Sequence, residues 1–366
     1  MSEDFFEIDF LAVETAKSGD AITLRYGISN DVYIHVVDGG YTETGTTLIE
    51  HIQAYYENPA YIDHVVLTHP DGDHACGLKT LLDSDQFVVG TLWMNRPWLY
   101  ANELLFHFKN YTSADRIAAK LKEIYSHSAE LEEMAKERGI PIREAFQGAL
   151  IGSFTVLAPS KARYLELVLD SPRTPERVEA RASTMSAMLE SVMKALATAA
   201  NFVRSSWGEE VFSSNGTSRE NEMSIVQYAY LAGKRILLTG DAGREALAEA
   251  ADYAPWVGLG LPGIDRFQVP HHGSRRNVST EILDRWLGER LPQKPSEGSE
   301  TFTALISSAK ADPDHPRKSV ERAFHHRGAR VLATEGQSIC IFAPTTRARA
   351  GWVRVAPRPY PEEQEE

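Results

Sequence analysis

Apolar runs rich in β-branched residues, each closed by a polar or glycine turn, open the chain. FFEIDFL, AITLRYG and VYIHVVDGG predict strands, the last ending on a glycine pair. TTLIEHIQAYY carries its apolar residues at helical spacing. HVVLT predicts a further strand, and DHACGLKTLLD a helix with Asp73 in its first turn. FVVGTLWMN returns to strand.

The pattern changes near Asn95. TSADRIAAKLKEIYSHSAELEEMAKERG predicts one long helix, with Thr112 or Ser113 as its cap and Gly139 as its stop. ALIGSFTVLAPS is strand-like again. A second helix is expected over 174–204, with Thr174 as cap and Pro175 at its first position. Met185, Leu189, Val192, Leu196, Ala199 and Val203 lie along one of its faces. That stripe suits core packing, or a docking surface for a second copy or a partner protein. SIVQYAYLAGKRILLTG predicts a hairpin turning at Ala232–Gly233. RFQVP, TALISSA, ARVLATEG and SICIFAP predict further strands with helices between them. The expected organisation is one α/β domain over 1–356, with helical insertions at about 96–147 and 160–220. The acidic tail 357–366 is expected to be disordered.

Composition narrows the function. Of 366 residues, 43% are hydrophobic and 24% charged, enough for a full core. The formal net charge of −13 repels phosphate backbones at long range, so binding to nucleic acid by bulk charge is disfavoured. Two cysteines make no disulfide framework. The start MSEDFFEIDF lacks the basic and apolar regions of a secretion signal, and no run reaches membrane-spanning length. A cytoplasmic location is expected.

Histidine and aspartate collect where strands end. THPDGDH follows HVVLT and holds His69, Asp71, Asp73 and His74. LLTGDAG ends on Asp241, FQVPHHGS on His271 and His272, and ALISSAKADPDHP reaches His315. Strand ends gathered at one sheet edge bring such loops to one place. Imidazole and carboxylate together suit two divalent ions, zinc or manganese. Taken singly, Asp73 and Asp241 could equally cap the helices that follow them, and His271–His272 could be a surface pair. His325–His326, at a helix end before Gly328, is assigned no function, being explained by the helix dipole and solvent. His35, His51, His64, His107 and His127 lack a strand-end context and are read as structural or exposed.

In order and spacing these elements resemble the metallo-β-lactamase superfamily, and His69-x-Asp71-x-Asp73-His74 resembles its ComEC-like branch, named for a DNA-uptake protein. VVDGG before that motif, and NEMSIV, LLTGDAG, VPHHGS, DHP and LATEGQ after it, resemble elements of that branch in order. The resemblance spans about 5–95, 148–159 and 221–345. It implies an αββα sandwich of two β-sheets flanked by helices. It also implies a set of roles. His69, Asp71 and His272 hold one ion, Asp73, His74 and His315 the other, and Asp241 bridges them. Asp73 and Asp241 thereby serve catalysis as well. His271 donates a proton to the leaving group, though which of His271 and His272 is the ligand stays open. Backbone N–H groups of Gly273 and Ser274 hold a non-bridging oxygen. Asp38 stands behind His69 or His74, and Asn221 also supports the site.

The activity expected is a metal-dependent phosphodiesterase, foremost a nuclease acting on DNA or RNA. The basic residues Arg275, Arg276, Arg317 and Lys318 flank proposed ligands and would grip phosphates. A small phosphoester substrate, such as a nucleotide, a cyclic nucleotide or a phosphorylcholine ester, is the second expectation. A non-catalytic subunit of a larger assembly is the third.

Overall fold

The computed structural model describes residues 4–178, 202–344 and 349–366. The strands are β1 (Phe5–Phe10), β2 (Ala21–Ile28), β3 (Asp31–Gly39), β4 (Tyr61–Val66), β5 (Val88–Trp93), β6 (Ile142–Arg143), β7 (Leu150–Ile151), β8 (Phe154–Ala158), β9 (Phe202–Arg204), β10 (Val226–Leu231), β11 (Lys234–Leu238), β12 (Arg266–Gln268), β13 (Phe302–Ile306), β14 (Ala329–Ala333), β15 (Ile339–Ala343) and β16 (Glu363–Glu365). One sheet has the order β15-β1-β2-β3-β4-β5-β6, the other β14-β13-β12-β11-β10-β8-β7. β1 is covered on both faces: Phe6, Ile8 and Phe10 face the apolar core, while Glu7 and Asp9 on the other face pair with Arg349. Phe6, Ile8, Phe10, Leu24 and Val66 of the first sheet meet Phe154, Val156, Ile236, Leu238 and Leu305 of the second. On the outer face of the first sheet pack α1 (Thr42–Tyr55) and α2 (Gly72–Asp83), through Leu48, Ile52, Leu78 and Leu81. The helices Arg244–Tyr253, Thr280–Leu287 and Lys318–His326 cover the second, through Leu247, Trp286 and Phe324. The result is the expected αββα order of layers.

Strand direction places the site. β3, β4 and β5 run parallel, as do β11, β12, β13 and β14. The loops that leave their C-terminal ends therefore emerge along one edge. Gly77 sets the depth of α2 there, since a Cβ on it would lie 1.8 Å from the Gly39 carbonyl oxygen. The bare backbone lets the helix rest on the end of β3, beside Asp38.

The helical segments differ from expectation. After α3 (Ala101–Leu104), the predicted single helix is two, α4 (Ala114–Ile124) and α5 (Ser126–Glu137). Tyr125 breaks them, with φ −102° and ψ 53°. Gly139 ends α5 with φ +68°. The helix expected from Thr174 does not start there. The Thr174 hydroxyl donates to the carbonyls of Val168 and Ser171, closing the preceding helix α6 (Lys161–Asp170) instead of opening a new one. Residues 174–178 then run beside 107–109, with Lys109 N–H donating to Glu176 O and Val178 N–H to His107 O. Val203 lies in β9, and Met185, Leu189, Val192, Leu196 and Ala199 lie outside the described residues. The hairpin turn at Ala232–Gly233 forms as expected, both residues having positive φ.

The acidic tail is not disordered. β16 pairs antiparallel with β9, and Gln364 and Glu365 are buried. Backbone pairing and a helix-capping carboxylate, described below, order a segment whose composition is that of a solvated tail. No helix among the described residues is long and apolar enough to cross a membrane.

Candidate metal centre

Four imidazoles and three carboxylates converge at the shared edge, and the backbone is bent to make this possible. His271 and His272 both have left-handed φ, +48° and +56°. Two consecutive non-glycine residues in that region cost on the order of 1–3 kcal/mol each, and such strain persists where the surroundings enforce it. Here the turn is held by Gly273 N–H to Pro270 O, at 3.1 Å, and Ser274 N–H to His271 O, at 2.9 Å. Asp38 also has positive φ, +57°, at the end of β3.

Each imidazole is oriented from behind. Asp38 accepts from Thr68 N–H at 2.8 Å and from the Thr68 hydroxyl at 2.7 Å, and His74 Nδ1–H donates to it at 2.8 Å. The Thr68 hydroxyl oxygen lies 3.1 Å from His69 Nδ1. His272 Nδ1–H donates to the Ser307 carbonyl at 3.0 Å, which fixes its tautomer. His271 Nδ1 lies 3.0 Å from Asn277 Oδ1 and 2.9 Å from Asn221 Nδ2. The Asn277 amide donates to the Asp241 and Ala242 carbonyls, so its oxygen is left to accept from His271. These partners turn every Nε2 inward.

What the Nε2 atoms face is Asp241. Its Oδ2 is 3.7 Å from His69 Nε2 and 3.6 Å from His271 Nε2. Its Oδ1 is 3.3 Å from His74 Nε2 and 3.9 Å from His272 Nε2. Asp73 Oδ2 stands 3.6 Å from His272 Nε2 and 4.0 Å from His74 Nε2. Two ligand atoms on one tetrahedral zinc-sized ion lie about 3.4 Å apart. The spacing is therefore that of ligands around a cation. Two tight groups result, His69–His74–Asp241 and Asp73–His74–His272. The buried atoms His69 Nε2, His74 Nε2, His272 Nε2 and Asp241 Oδ1 make no hydrogen bond, a costly state for polar atoms out of water. Divalent ions would satisfy these atoms, so the residues fit a metal centre.

The local field agrees. Burial opposes charging His74, but Asp241, Asp38 and Asp73 outweigh it and hold its pKa well above the usual range. His272 is pushed up to about 9, against burial, by Asp241 and Asp73. Burial pulls His271 down to about 4 despite Asp241. Asp241 stays far below the carboxylate range in spite of burial, because His271, His74 and His272 surround it.

The grouping differs from the one implied by resemblance. Asp71 lies outside the tight groups. Its Oδ2 is 3.9 Å from His69 Nε2, and its Oδ1 accepts from Arg173 at 2.8 Å. His315 stands at the mouth, Nδ1 3.2 Å from Asp312, its ring centre 5.4 Å from that of His271 and 5.9 Å from that of His272. The N–H groups of Gly273 and Ser274 are not available to a substrate oxygen, being spent on the turn itself. Three of the four basic side chains are already engaged. Arg275 donates to the Glu366 carbonyl, Arg317 to Asp314, and Lys318 lies 3.7 Å from Glu363. Arg276 is exposed. His326 is not solvated either, since it is buried against Glu210 and Tyr360.

Asp20 is the residue that sequence reasoning missed. It is buried, with Oδ1 unpartnered and Oδ2 accepting from Gln268 Nε2, and it groups with Asp241 and His272. Burial pushes its carboxyl pKa up. It precedes β2 rather than following a strand, but β2 is antiparallel to β3, so its start lies at the same edge as Asp38.

A family model described as the metallo-beta-lactamase superfamily matches residues 29–142. No curated protein matches the chain. Among solved structures, the hydrolase AbOPH of the beta lactamase superfamily is 13% identical, covering 68% of this chain and 75% of that one, with a TM-score of 0.31. Zn(2+)-bound PqqB from Methylobacterium extorquens is 10% identical, covering 91% of this chain and 99% of that one, with a TM-score of 0.39. At these values neither structure bears on the chemistry here. The matched segment carries β3 to β5 and the loop of His69 to His74; over these residues the chain resembles the metallo-β-lactamase superfamily, and the two-sheet αββα architecture around them is consistent with that fold.

Proposed function

We propose that the protein is a metal-dependent phosphodiesterase with a dinuclear centre. The observation that carries this reading is the division of Asp241: one oxygen faces His69 and His271, the other His74 and His272. A carboxylate so placed suits a bridge between two ions. His69 with Asp241 Oδ2 would hold one ion, and Asp73, His74 and His272 with Asp241 Oδ1 the other. Such ions, when bound, supply Lewis acidity and hydroxide near neutral pH. The chain's own part is to hold the imidazoles as neutral ligands through Asp38, Thr68 and Ser307. His271 is half-buried, is fixed by Asn277, and neighbours His315 at the mouth. With its ring proton on Nδ1, its Nε2 is placed to accept a proton from water rather than to donate one to the leaving group as expected.

Nucleic acid is the first substrate class we infer, following the ComEC-like spacing of His69 to His74. A small phosphoester is the second reading. It is favoured by the engagement of Arg275, Arg317 and Lys318 with acidic or carbonyl partners, which leaves little basic surface for a long strand.

The test is cleavage of labelled single-stranded DNA, double-stranded DNA, RNA and bis-p-nitrophenyl phosphate with Mn²⁺ or Zn²⁺, with metal content measured alongside. His69→Ala and Asp241→Asn are expected to lose at least one of two bound ions and to lower turnover by a factor of about 100 or more. Two ions retained in both variants would refute the dinuclear assignment.

A further inference from the structure

We propose that Arg173 binds the anionic group of the substrate and that Asp71 is its anchor, not a metal ligand. The inference rests on the phosphodiesterase reading for the kind of anion. Arg173 comes from the end of the insertion helix α6, far in sequence from the centre, yet its Nη1 donates to Asp71 Oδ1 at 2.8 Å. The other oxygen of the same carboxylate is 3.9 Å from His69 Nε2, so only the width of one carboxylate separates the guanidinium from the cluster.

The placement is built. Glu220, 1% exposed, lies 3.7 Å from Arg173 Nε and hydrogen-bonds the Ser171 hydroxyl, which also accepts from Arg173 N–H at 3.1 Å. The Thr174 hydroxyl pins the same turn to α6. Two carboxylates and a locked turn thus fix the base of the side chain. The Arg173 side chain is 45% exposed, and Nη2 makes no hydrogen bond among the described residues. A guanidinium edge of this kind pairs with phosphate oxygens in a two-point contact that a lysine cannot copy.

The experiment is calorimetric titration of inorganic phosphate into metal-loaded protein, with metal content and KM for bis-p-nitrophenyl phosphate measured in parallel. Arg173→Ala is expected to keep the wild-type metal content, to bind phosphate about tenfold more weakly or worse, and to raise KM by a similar factor. Arg173→Lys should recover only part of either. Asp71→Asn should keep its metal and lose phosphate affinity. Loss of metal from Asp71→Asn to the extent seen in His69→Ala would overturn the anchor assignment. Phosphate affinity unchanged in Arg173→Ala, or absent in the wild type, would overturn the anion-binding role. If the wild type hydrolyses no phosphodiester while Arg173→Ala still loses phosphate, the function reading fails and the anion site stands.

Discussion

His35 is fully buried in β3 with neither ring nitrogen hydrogen-bonded, 5.7 Å from the His64 ring. Burial, and then the charge of His64, hold its pKa well below the usual imidazole range. The unfolded chain therefore binds a proton that the folded one refuses, and stability falls as pH drops through the ordinary imidazole range. His64 is lowered as well and adds to this loss. Replacing His35 with Leu removes two unsatisfied polar atoms and is expected to leave stability at pH 7.5 unchanged or raised. Urea midpoints at pH 7.5 and 5.5 check it: the drop between them should be smaller in the variant, and an equal drop would exclude His35 as its source. Single residues also mark the limit of reading the sequence. Asp38 was legible because an Asp-x-Gly turn after a strand has one use at such an edge. Asp20 was not, because nothing in a lone Gly-Asp pair before a strand says which strand it will lie beside. The spent N–H groups of Gly273 and Ser274 depend on the left-handed turn at His271 and His272, which no residue type there announces.

Among the elements, the strands and their order of chemistry were readable because alternation and β-branched runs are local properties. The helical segments were readable only in part. Tyr125 interrupts a pattern whose apolar spacing is continuous, and Thr174 carries a helix-opening residue type while closing the helix before it. The tail shows tertiary pairing overriding composition. The Glu365 carboxylate accepts from the N–H groups of Lys318 and Ser319, each at 3.0 Å, capping the helix that follows His315. Glu365→Ala should lower stability by about 1 kcal/mol and speed hydrogen exchange at those two amides. Unchanged exchange there would show that the tail merely rests on the helix.

For the molecule as a whole, the two sheets are bound together by an apolar core and meet in a pocket of like charges. Asp20, Asp38, Asp73 and Asp241 are within reach of one another through shared imidazoles. A cation that binds only the folded arrangement stabilises it by mass action. Removing metal with a chelator is expected to lower the melting temperature by several degrees, with recovery on adding Zn²⁺ or Mn²⁺. A melting curve indifferent to chelator would show that the carboxylates are balanced by protons alone.

The centre draws Asp20, His69, His74, Asp241 and His272 from both sheets and from places far apart in the chain. During synthesis, strands β1 to β6 can collapse while the ribosome has yet to deliver Asp241 and His272. That half-made protein presents two imidazoles and several carboxylates with no closing partner. Under the proposed metal reading, ion capture would wait for Asp241, which both ions share, and a protein truncated before Asp241 should stay unloaded however much metal surrounds it.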